Sequence, residues 1–332
     1  MWEASSPSRP IASAAAGYTA DMRRALVSSV LLGAAGCASG NVATDAGPID
    51  ARRIDAPVVD GPVIDGPPGD GPATDARVDA RVVDAAGIDA PAPVVASLLL
   101  TEIVLAPTGG ELIEIVNPTA QAVNLSSYYL SDTPGYFKLP AGVTAVGADS
   151  SDFVARFPAG ATLAAGGVAT VALDTAANFT TTYPGVTPTY SIGSATMMLL
   201  TGGAPTLTNA GEPVVLFAWD GASDRVIDVD IMVAGTPSAA NLLVAKTPVD
   251  GPDADTSATA YAVDALTLPV QSAPASGRST KRLILESAAT EVQTGGNGVA
   301  GHDETSEMTG TTWDSSGYTV PTPGMVPAAL LP

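Results

Sequence analysis

Histidine and cysteine are almost absent from this sequence, with one of each among 332 residues. Catalytic triads that use histidine, zinc sites with several histidine or cysteine ligands, and disulfide frameworks are therefore nearly all excluded. Basic side chains are also few, because 14 lysines and arginines face 34 aspartates and glutamates and the formal net charge is -20. Nucleic-acid binding requires basic groups that displace phosphate counterions, so we predict no nucleic-acid partner.

Motifs typical of enzymes are missing as well. The sequence has no Gly-x-Ser-x-Gly elbow, no phosphate-binding loop and no dinucleotide fingerprint. Charged residues make up 14% of the chain and hydrophobic residues 46%, a balance that is not typical of a wholly disordered protein. We therefore predict a folded protein that is not an enzyme and needs no cofactor.

The segment Met22–Cys37 has the pattern of an export signal. It reads MRRALVSSVLLGAAGC, with two arginines, a short apolar run and small residues before the cysteine. The apolar run is too short to cross a bilayer, which takes about 20 residues. The segment resembles a bacterial lipoprotein signal whose lipobox is Ala34–Cys37. The resemblance implies that Cys37 is acylated, becomes the first residue of the mature chain and anchors it to a membrane.

The surrounding residues extend this prediction. Residues 22–36 are the predicted signal peptide, and residues 1–21 are an upstream extension, with Met22 as the candidate start. Ala38 and Ser39 follow the cysteine, without the aspartate that retains such lipoproteins at the inner membrane. We therefore expect a location in the cell envelope, at the outer membrane or the surface of a bacterium.

Residues 37–96 are predicted to be a disordered stalk. Aspartate recurs mostly every fifth residue from Asp45 to Asp89, among alanine, proline, glycine and valine. A period of five matches neither a helix nor a strand, so no face collects apolar side chains. Repeated proline blocks helix formation, and repeated aspartate makes the chain repel itself.

From residue 97 the pattern changes to short apolar runs separated by glycine, proline, asparagine and aspartate. Such runs predict an all-β sandwich or barrel with mainly antiparallel strands. We place this domain at residues 97–326 and a tail at 327–332. The predicted strands are Leu98–Leu105, Leu112–Val116, Val168–Leu173, Met197–Leu200, Val214–Trp219 and Val226–Val233.

Several segments of this domain resemble the lamin tail domain. The segments are LLTEIV (99–104), GELIEIVNP (110–118), VNLSSYYLSD (123–132), FKLPA (137–141), FPAGATLAAGGVATVAL (157–173), NAGEPVVL (209–216) and GRSTKR (277–282), with Trp313 and Thr322–Gly324. The resemblance implies an immunoglobulin-like β-sandwich with a structural or binding role and no activity. Residues 175–208 and 236–276 are longer than such domains usually need, and we expect them to carry binding specificity.

Glu102, Glu114 and Asn117 fall on positions that this resemblance implies are fold-defining. We expect the glutamates to accept hydrogen bonds from loop amides and to hold the Asn117–Pro118 turn. A paired-carboxylate acid/base or metal site is the alternative. A hydrolase that uses Glu102, Glu114 or His302 is a further alternative, and it needs a cleft that joins these residues.

Three other groups of residues are candidate sites. Asp250, Asp253 and Asp255 form the acidic loop best suited to calcium, against a solvated loop without metal. His302 lies in a glycine-rich polar stretch, 294–310, which is predicted to be a surface loop. Five aromatic residues are candidates either for sugar stacking or for core packing: Tyr128, Tyr129, Tyr136, Trp219 and Trp313. Adjacent strand residues point to opposite faces, so one of Tyr128 and Tyr129 is expected to be exposed.

These observations favour a lipid-anchored envelope protein that displays a lamin-tail-like domain on a stalk. Its expected partners are the membrane, through acyl-Cys37, and an envelope or extracellular protein or polysaccharide. The alternative hypothesis is a calcium-dependent adhesion or polysaccharide-binding module.

Overall fold

The computed structural model describes residues 97–266, 273–314 and 319–332. The predicted signal peptide, lipid anchor at Cys37 and stalk lie outside the described residues. These described residues form twelve strands: β1 Leu99–Val104, β2 Leu112–Val116, β3 Val123–Asn124, β4 Tyr128–Ser131, β5 Phe153–Arg156, β6 Thr162–Leu163, β7 Val168–Ala172, β8 Tyr190–Ser191, β9 Met198–Gly202, β10 Gly211–Ala218, β11 Ile227–Gly235 and β12 Thr280–Lys281.

Helices are few and short. The α-helices are α1 Val143–Val146, α2 Ala176–Thr182 and α3 Thr309–Thr312, and the 3-10 turns are Thr108–Gly110, Tyr136–Ala141, Val299–Gly301, Glu304–Ser306 and Ala328–Leu330. None of the helices in the described residues has the length and apolar character needed to cross a bilayer. The predicted all-β class is confirmed, and each of the six predicted strands overlaps an observed one.

The strands form two five-stranded sheets and a small ribbon. Sheet one has the order β12-β1-β2-β7-β8, sheet two has the order β11-β10-β4-β5-β9, and β3 pairs with β6. The β1–β2 hairpin closes through the Thr108–Gly110 turn, as its glycines predicted. All strand pairs in the described residues are antiparallel except β7–β8, which is parallel.

The main core lies between the two sheets. Sheet one contributes Leu100, Ile113 and Val171, and sheet two contributes Leu130 and Leu216, all fully buried. Burying this apolar surface is the main stabilising contribution to such a sandwich. Residues beyond the strands complete the core, because Trp313 joins it with 1% of its surface exposed.

The outer face of sheet two is covered by a second apolar layer. Tyr129 and Phe217 point to this side and pack against Tyr136, Phe137 and Tyr261. The prediction that one of Tyr128 and Tyr129 is exposed is therefore wrong. Tyr128 faces the main core and Tyr129 faces this second layer, with 3% and 2% exposed. A sheet covered on both faces buries both members of an adjacent pair.

Sheet one is also covered on its outer face. Phe179 of α2 packs against Val104, Leu112 and Ala172, and Leu330 packs near the start of β1. Segment 175–208 thus supplies the helix that covers sheet one, and segment 236–276 supplies Val249 and Tyr261 to the layer on sheet two. Much of both long segments therefore serves to cover the sheets.

Candidate functional site

A buried ionic cluster joins the C-terminal residues to the sandwich, with Arg282 at its centre. The Arg282 side chain is 0% exposed. Its guanidinium donates to Asp230 Oδ2 and to Glu307 Oε1, each at 2.7 Å, and lies 2.9 Å from Glu286 Oε1. Its Nε donates to the Leu100 carbonyl at 2.8 Å. The cluster therefore links β11, β1 and the segment that follows β12.

Burial penalises the charged forms of both the acidic and the basic groups of this cluster. It raises the pKa of Asp230 well above its usual range, although the Arg282 guanidinium opposes the shift. Burial also penalises the Arg282 cation, but Asp230, Glu286 and Glu307 outweigh this and raise its pKa. The guanidinium also lies over the Trp313 ring, 5.0 Å from the centroid. Arg282 is thus the cation that balances the buried carboxylates in this part of the core.

A second buried ion pair lies on the outer face of sheet two. Lys246 Nζ donates to Asp228 Oδ2 at 2.8 Å and also to Asp264. Tyr136 donates its hydroxyl to Asp228 Oδ1 at 2.7 Å, and Asn297 donates to Asp264. Burial opposes the Lys246 charge, but the two aspartates outweigh it and its pKa is raised. The pair fixes segment 236–266 against β11.

A β-bulge separates the two aspartates of β11. Asp230 is opposite Leu216 of β10, whereas Asp228 is opposite Phe217, so Val229 is the extra residue. Residues directly opposite each other share a face, and Leu216 faces the main core while Phe217 faces the outer layer. The bulge therefore sends Asp230 to one face of the sheet and Asp228 to the other.

Glu102 and Glu114 are neighbours on the outer face of sheet one, opposite each other on β1 and β2. Glu102 accepts hydrogen bonds from the Thr322 amide at 3.0 and 3.1 Å, and Glu114 accepts one from the Gly324 amide. Lys281 lies 3.4 Å from Glu102. Burial raises the pKa of both glutamates, that of Glu114 to about 7. The pair thus binds the backbone of the C-terminal segment.

Asn117 holds its own turn. Its side-chain amide donates to the carbonyls of Gln121, Leu163 and Ala164 at 2.7 to 3.0 Å, and its oxygen accepts from the Thr119 amide at 3.0 Å. Glu102 and Glu114 accept hydrogen bonds from the backbone amides of Thr322 and Gly324 instead. They therefore bind loop amides as expected, but not those of the Asn117 turn.

Glu111 is buried apart from these groups, at 2% exposed. Burial raises its pKa to about 8, the Asp174 charge adds to the shift, and a hydrogen bond from the Leu207 backbone opposes it. A carboxyl group in this environment is protonated near neutral pH. Glu102 and Glu114 contact the C-terminal segment, whereas His302 contacts Glu291. The contacts of the described residues thus do not join the two glutamates to His302, which does not favour the hydrolase alternative.

The predicted calcium loop brings together a different set of carboxylates. Asp250 and Asp253 have oxygens within 4.8 Å of each other and of an oxygen of Asp224, whereas Asp255 is outside this group. Asp250 and Asp253 are exposed, and Asp224 accepts hydrogen bonds from Gly251 and Thr259. Asp224 was not grouped with Asp250, Asp253 and Asp255 in the sequence prediction, because 26 positions separate it from Asp250.

An apolar groove of about 410 Å³ lies beside this acidic group. Tyr129 and Trp219 form part of its wall, together with Arg156. Gly221 and Pro252 also line it, and both belong to the loops that carry the acidic group. Of the five predicted aromatic residues, Tyr129 and Trp219 line this groove, and Tyr129 is itself only 2% exposed.

The prediction of a surface loop at 294–310 is wrong for its second half, since residues 294–302 are half-buried or exposed and burial begins at Asp303. Glu304, Thr305 and Glu307 of this stretch are buried, and Asp303 pairs with Val292. The cause is the Arg282 cluster, which draws Glu307 into the protein interior. Sequence reasoning missed Arg282 because its partner Asp230 is 52 positions away. The one local signal was an arginine flanked by apolar residues, Leu283 to Leu285.

Comparison with a protein-family model agrees with this architecture. Residues 91–231 match the family model described as the Lamin Tail Domain. One solved structure that the chain resembles is a DUF4876 family protein from Bacteroides thetaiotaomicron, with 16% sequence identity and a TM-score of 0.38 over 70% of this chain and 75% of that chain. No curated protein matches the sequence. The β-sandwich of this chain therefore contains an immunoglobulin-like lamin tail domain, and the family match covers residues 91–231.

Proposed function

We propose that this chain is a lipid-anchored protein of a bacterial cell envelope that displays its lamin tail domain outside the cell. The observation that carries the proposal is Met22–Cys37, where a basic start, an apolar run and small residues end at the only cysteine. Acyl chains on Cys37 hold the protein at the membrane, because each buried CH₂ contributes about 0.8 kcal/mol.

The stalk sets how far the domain reaches from the membrane. A fully extended chain of about 50 residues spans at most roughly 165 Å. Proline, aspartate and alanine keep such a segment solvated instead of packed, so it tethers the domain without ordering it. Tethering raises the effective concentration of the domain near envelope partners. The role of the stalk in this proposal is mechanical.

The displayed domain acts by binding and not by catalysis. Three of its buried acidic side chains have structural partners: Asp230 contacts Arg282, Asp228 contacts Lys246, and Glu102 contacts Thr322. Carboxylates used in this way are not free to move protons for a substrate. The partner is an envelope or extracellular protein or polysaccharide that contacts the loops, since both outer faces of the sandwich are covered.

Replacing Cys37 with serine tests this proposal. We expect wild-type protein to sediment with membranes and to incorporate a labelled fatty acid. The Cys37→Ser variant should lose the label completely and be either released or retained in its unprocessed form, because serine provides no thiol for acylation. Ser39→Ala, two residues away, is the matched control and should behave as wild type. Wild-type protein that is soluble and unlabelled would overturn the proposal.

Calcium-dependent polysaccharide binding is the second candidate function. The observation that favours it is the position of the Asp224, Asp250 and Asp253 group. The loops that carry this group also form a wall of the apolar groove. Calcium binds carboxylate oxygens of loops, and aromatic faces such as Trp219 suit sugar rings. In this function the ion orders the loops and the groove binds the sugar.

A calcium titration tests this second candidate function. We expect calcium to raise the melting temperature by a few degrees and a chelator to reverse the effect. Asp253→Asn should abolish the response, since it removes a carboxylate of the group. Asp255→Asn is the matched control and should keep it. A melting temperature that is indifferent to calcium and chelator would remove this candidate.

A further inference from the structure

The geometry points to a binding site for one divalent transition-metal ion at Glu291, His302 and Glu304. One ligand atom from each of these residues lies within 4.8 Å of the others. His302 Nδ1 is 3.2 Å from Glu291 Oε2. Ligands around a tetrahedral zinc ion stand about 3.4 Å apart when each bond is about 2.1 Å. The imidazole and the first carboxylate therefore already have the spacing of metal ligands.

The backbone brings the three residues together. Asp303 and Val292 form an antiparallel bridge, and the Asp303 amide donates to the Val292 carbonyl at 2.8 Å. This register places Glu304 opposite Glu291 across the bridge. The loop between them closes through the Gly298 amide, which donates to the His302 carbonyl at 2.7 Å.

Glycine at position 298 leaves room for the Glu304 carboxylate. A Cβ atom on Gly298 would lie 2.6 Å from Glu304 Oε1, closer than a van der Waals contact allows. Asp303, in contrast, has other partners for both of its carboxylate oxygens, since it accepts from the amides of Ala265 and Thr305 and from the Thr305 hydroxyl. The adjacent carboxylate is therefore not a ligand, and the donor set is Glu291, His302 and Glu304.

The buried carboxylate of Glu291 is the feature that points to a bound cation. This residue is 6% exposed, and neither of its carboxylate oxygens accepts a hydrogen bond from a donor group in the described residues. Its other close contacts are the His302 ring and the Glu304 carboxyl, and two ionised carboxylates side by side repel each other. A buried carboxylate without donors costs several kcal/mol unless a cation or a proton neutralises it.

The charges around the site also favour a cation. Glu291 lies near the carboxylates of Glu286 and Glu307, whose charges repel its own. Arg282 is the partner of Asp230, Glu286 and Glu307, which leaves Glu291 and Glu304 with the His302 ring. A divalent ion would balance the charges of these two carboxylates.

The donor set selects the class of metal. One imidazole and two carboxylates suit Zn²⁺, Mn²⁺ or Fe²⁺, whereas Ca²⁺ and Mg²⁺ prefer a shell made of oxygen alone. The His302 side chain is 24% exposed and the Glu291 side chain is 0% exposed. An ion would therefore enter from the side of the imidazole and leave a coordination position open to solvent there. This site is separate from the Asp224 group, which has no imidazole.

Zinc binding to the untagged full chain tests the inference. His302 is the only histidine of the sequence and Cys37 the only cysteine, so imidazole scattering in the zinc X-ray absorption spectrum can be assigned to His302 alone. We expect calorimetry on chelator-treated protein to show one Zn²⁺ per chain, with nitrogen and oxygen ligands and no sulfur. Ca²⁺ and Mg²⁺ should not compete at equal concentration.

Variants distinguish this site from others. His302→Ala and Glu291→Gln should each weaken zinc binding about 100-fold or more, since even outer-shell changes cost 10- to 100-fold. Asp253→Asn is the control and should bind zinc as wild type does. His302 is partly exposed, so circular dichroism should show that its variant folds. Absence of zinc binding, sulfur in the zinc shell, or unchanged affinity in folded His302→Ala protein would overturn the inference.

Discussion

The Arg282→Met variant is expected to lose about 3–5 kcal/mol of unfolding free energy, the cost of breaking a buried ion pair by removing one partner. Methionine is a linear side chain that fills much of the same space, so the loss comes mainly from charge. Without the guanidinium, Asp230 and Glu307 are buried with no cation, and the Leu100 carbonyl loses its donor. The Trp313 ring also loses its cation contact.

Urea unfolding of three variants measures this effect. Arg278→Met is the matched control, because Arg278 is exposed four residues earlier, and it should change the unfolding free energy by less than about 0.5 kcal/mol. Arg282→Lys should lie between the two, since lysine keeps the charge and loses the planar fork that binds carboxylates. Equal stability of Arg282→Met and Arg278→Met would show that the cluster does not stabilise the fold.

A chain that ends at Gly235 is expected not to fold cooperatively, although it contains the whole family match at 91–231. The deletion removes β12 from sheet one and Trp313 from the main core. It also removes Lys246 and Arg282, and so leaves Asp228 and Asp230 without their cations. Two unpaired buried charges and an uncovered apolar face exceed the 5–15 kcal/mol stability of a typical domain.

Thermal unfolding monitored by circular dichroism checks this prediction. The matched control removes the other end of the chain and begins at Ala80, the first residue of the compact unit Ala80–Pro332. We expect this control and the full chain each to unfold in one cooperative transition. A cooperative transition of similar midpoint in the chain that ends at Gly235 would show that the C-terminal residues are an accessory to the sandwich.

The sequence predicted six of the twelve strands of the described residues, because local patterns determine these strands. Leu112–Val116 was predicted with its observed bounds, and the glycines after Pro107 correctly predicted the β1–β2 hairpin. Apolar runs bounded by glycine, proline and asparagine are a local signal of buried strands. The lamin-tail resemblance added the sandwich architecture, and the family match supports it.

The sequence did not predict which segments cover the outer faces of the sheets or which charged side chains form ion pairs. Tyr129 is buried because segments more than 100 residues apart, around Phe137 and Tyr261, pack over its face of the sheet. A single bulge at Val229 reverses the face of Asp230, and no periodic pattern indicates where a bulge occurs. Contacts with residues distant in the sequence also bury most of the stretch 303–307 and place Glu304 near His302. Ionic contacts of this kind depend on tertiary structure.

The intact mass of the mature chain, purified from membranes, tests the proposed envelope display most directly. The account predicts an N-terminal peptide that begins at Cys37 and carries acyl chains, with residues 1–36 absent. Digestion of that peptide should place the added mass on the cysteine. A mature chain that begins at Met1 or Met22 and carries no lipid would contradict the account.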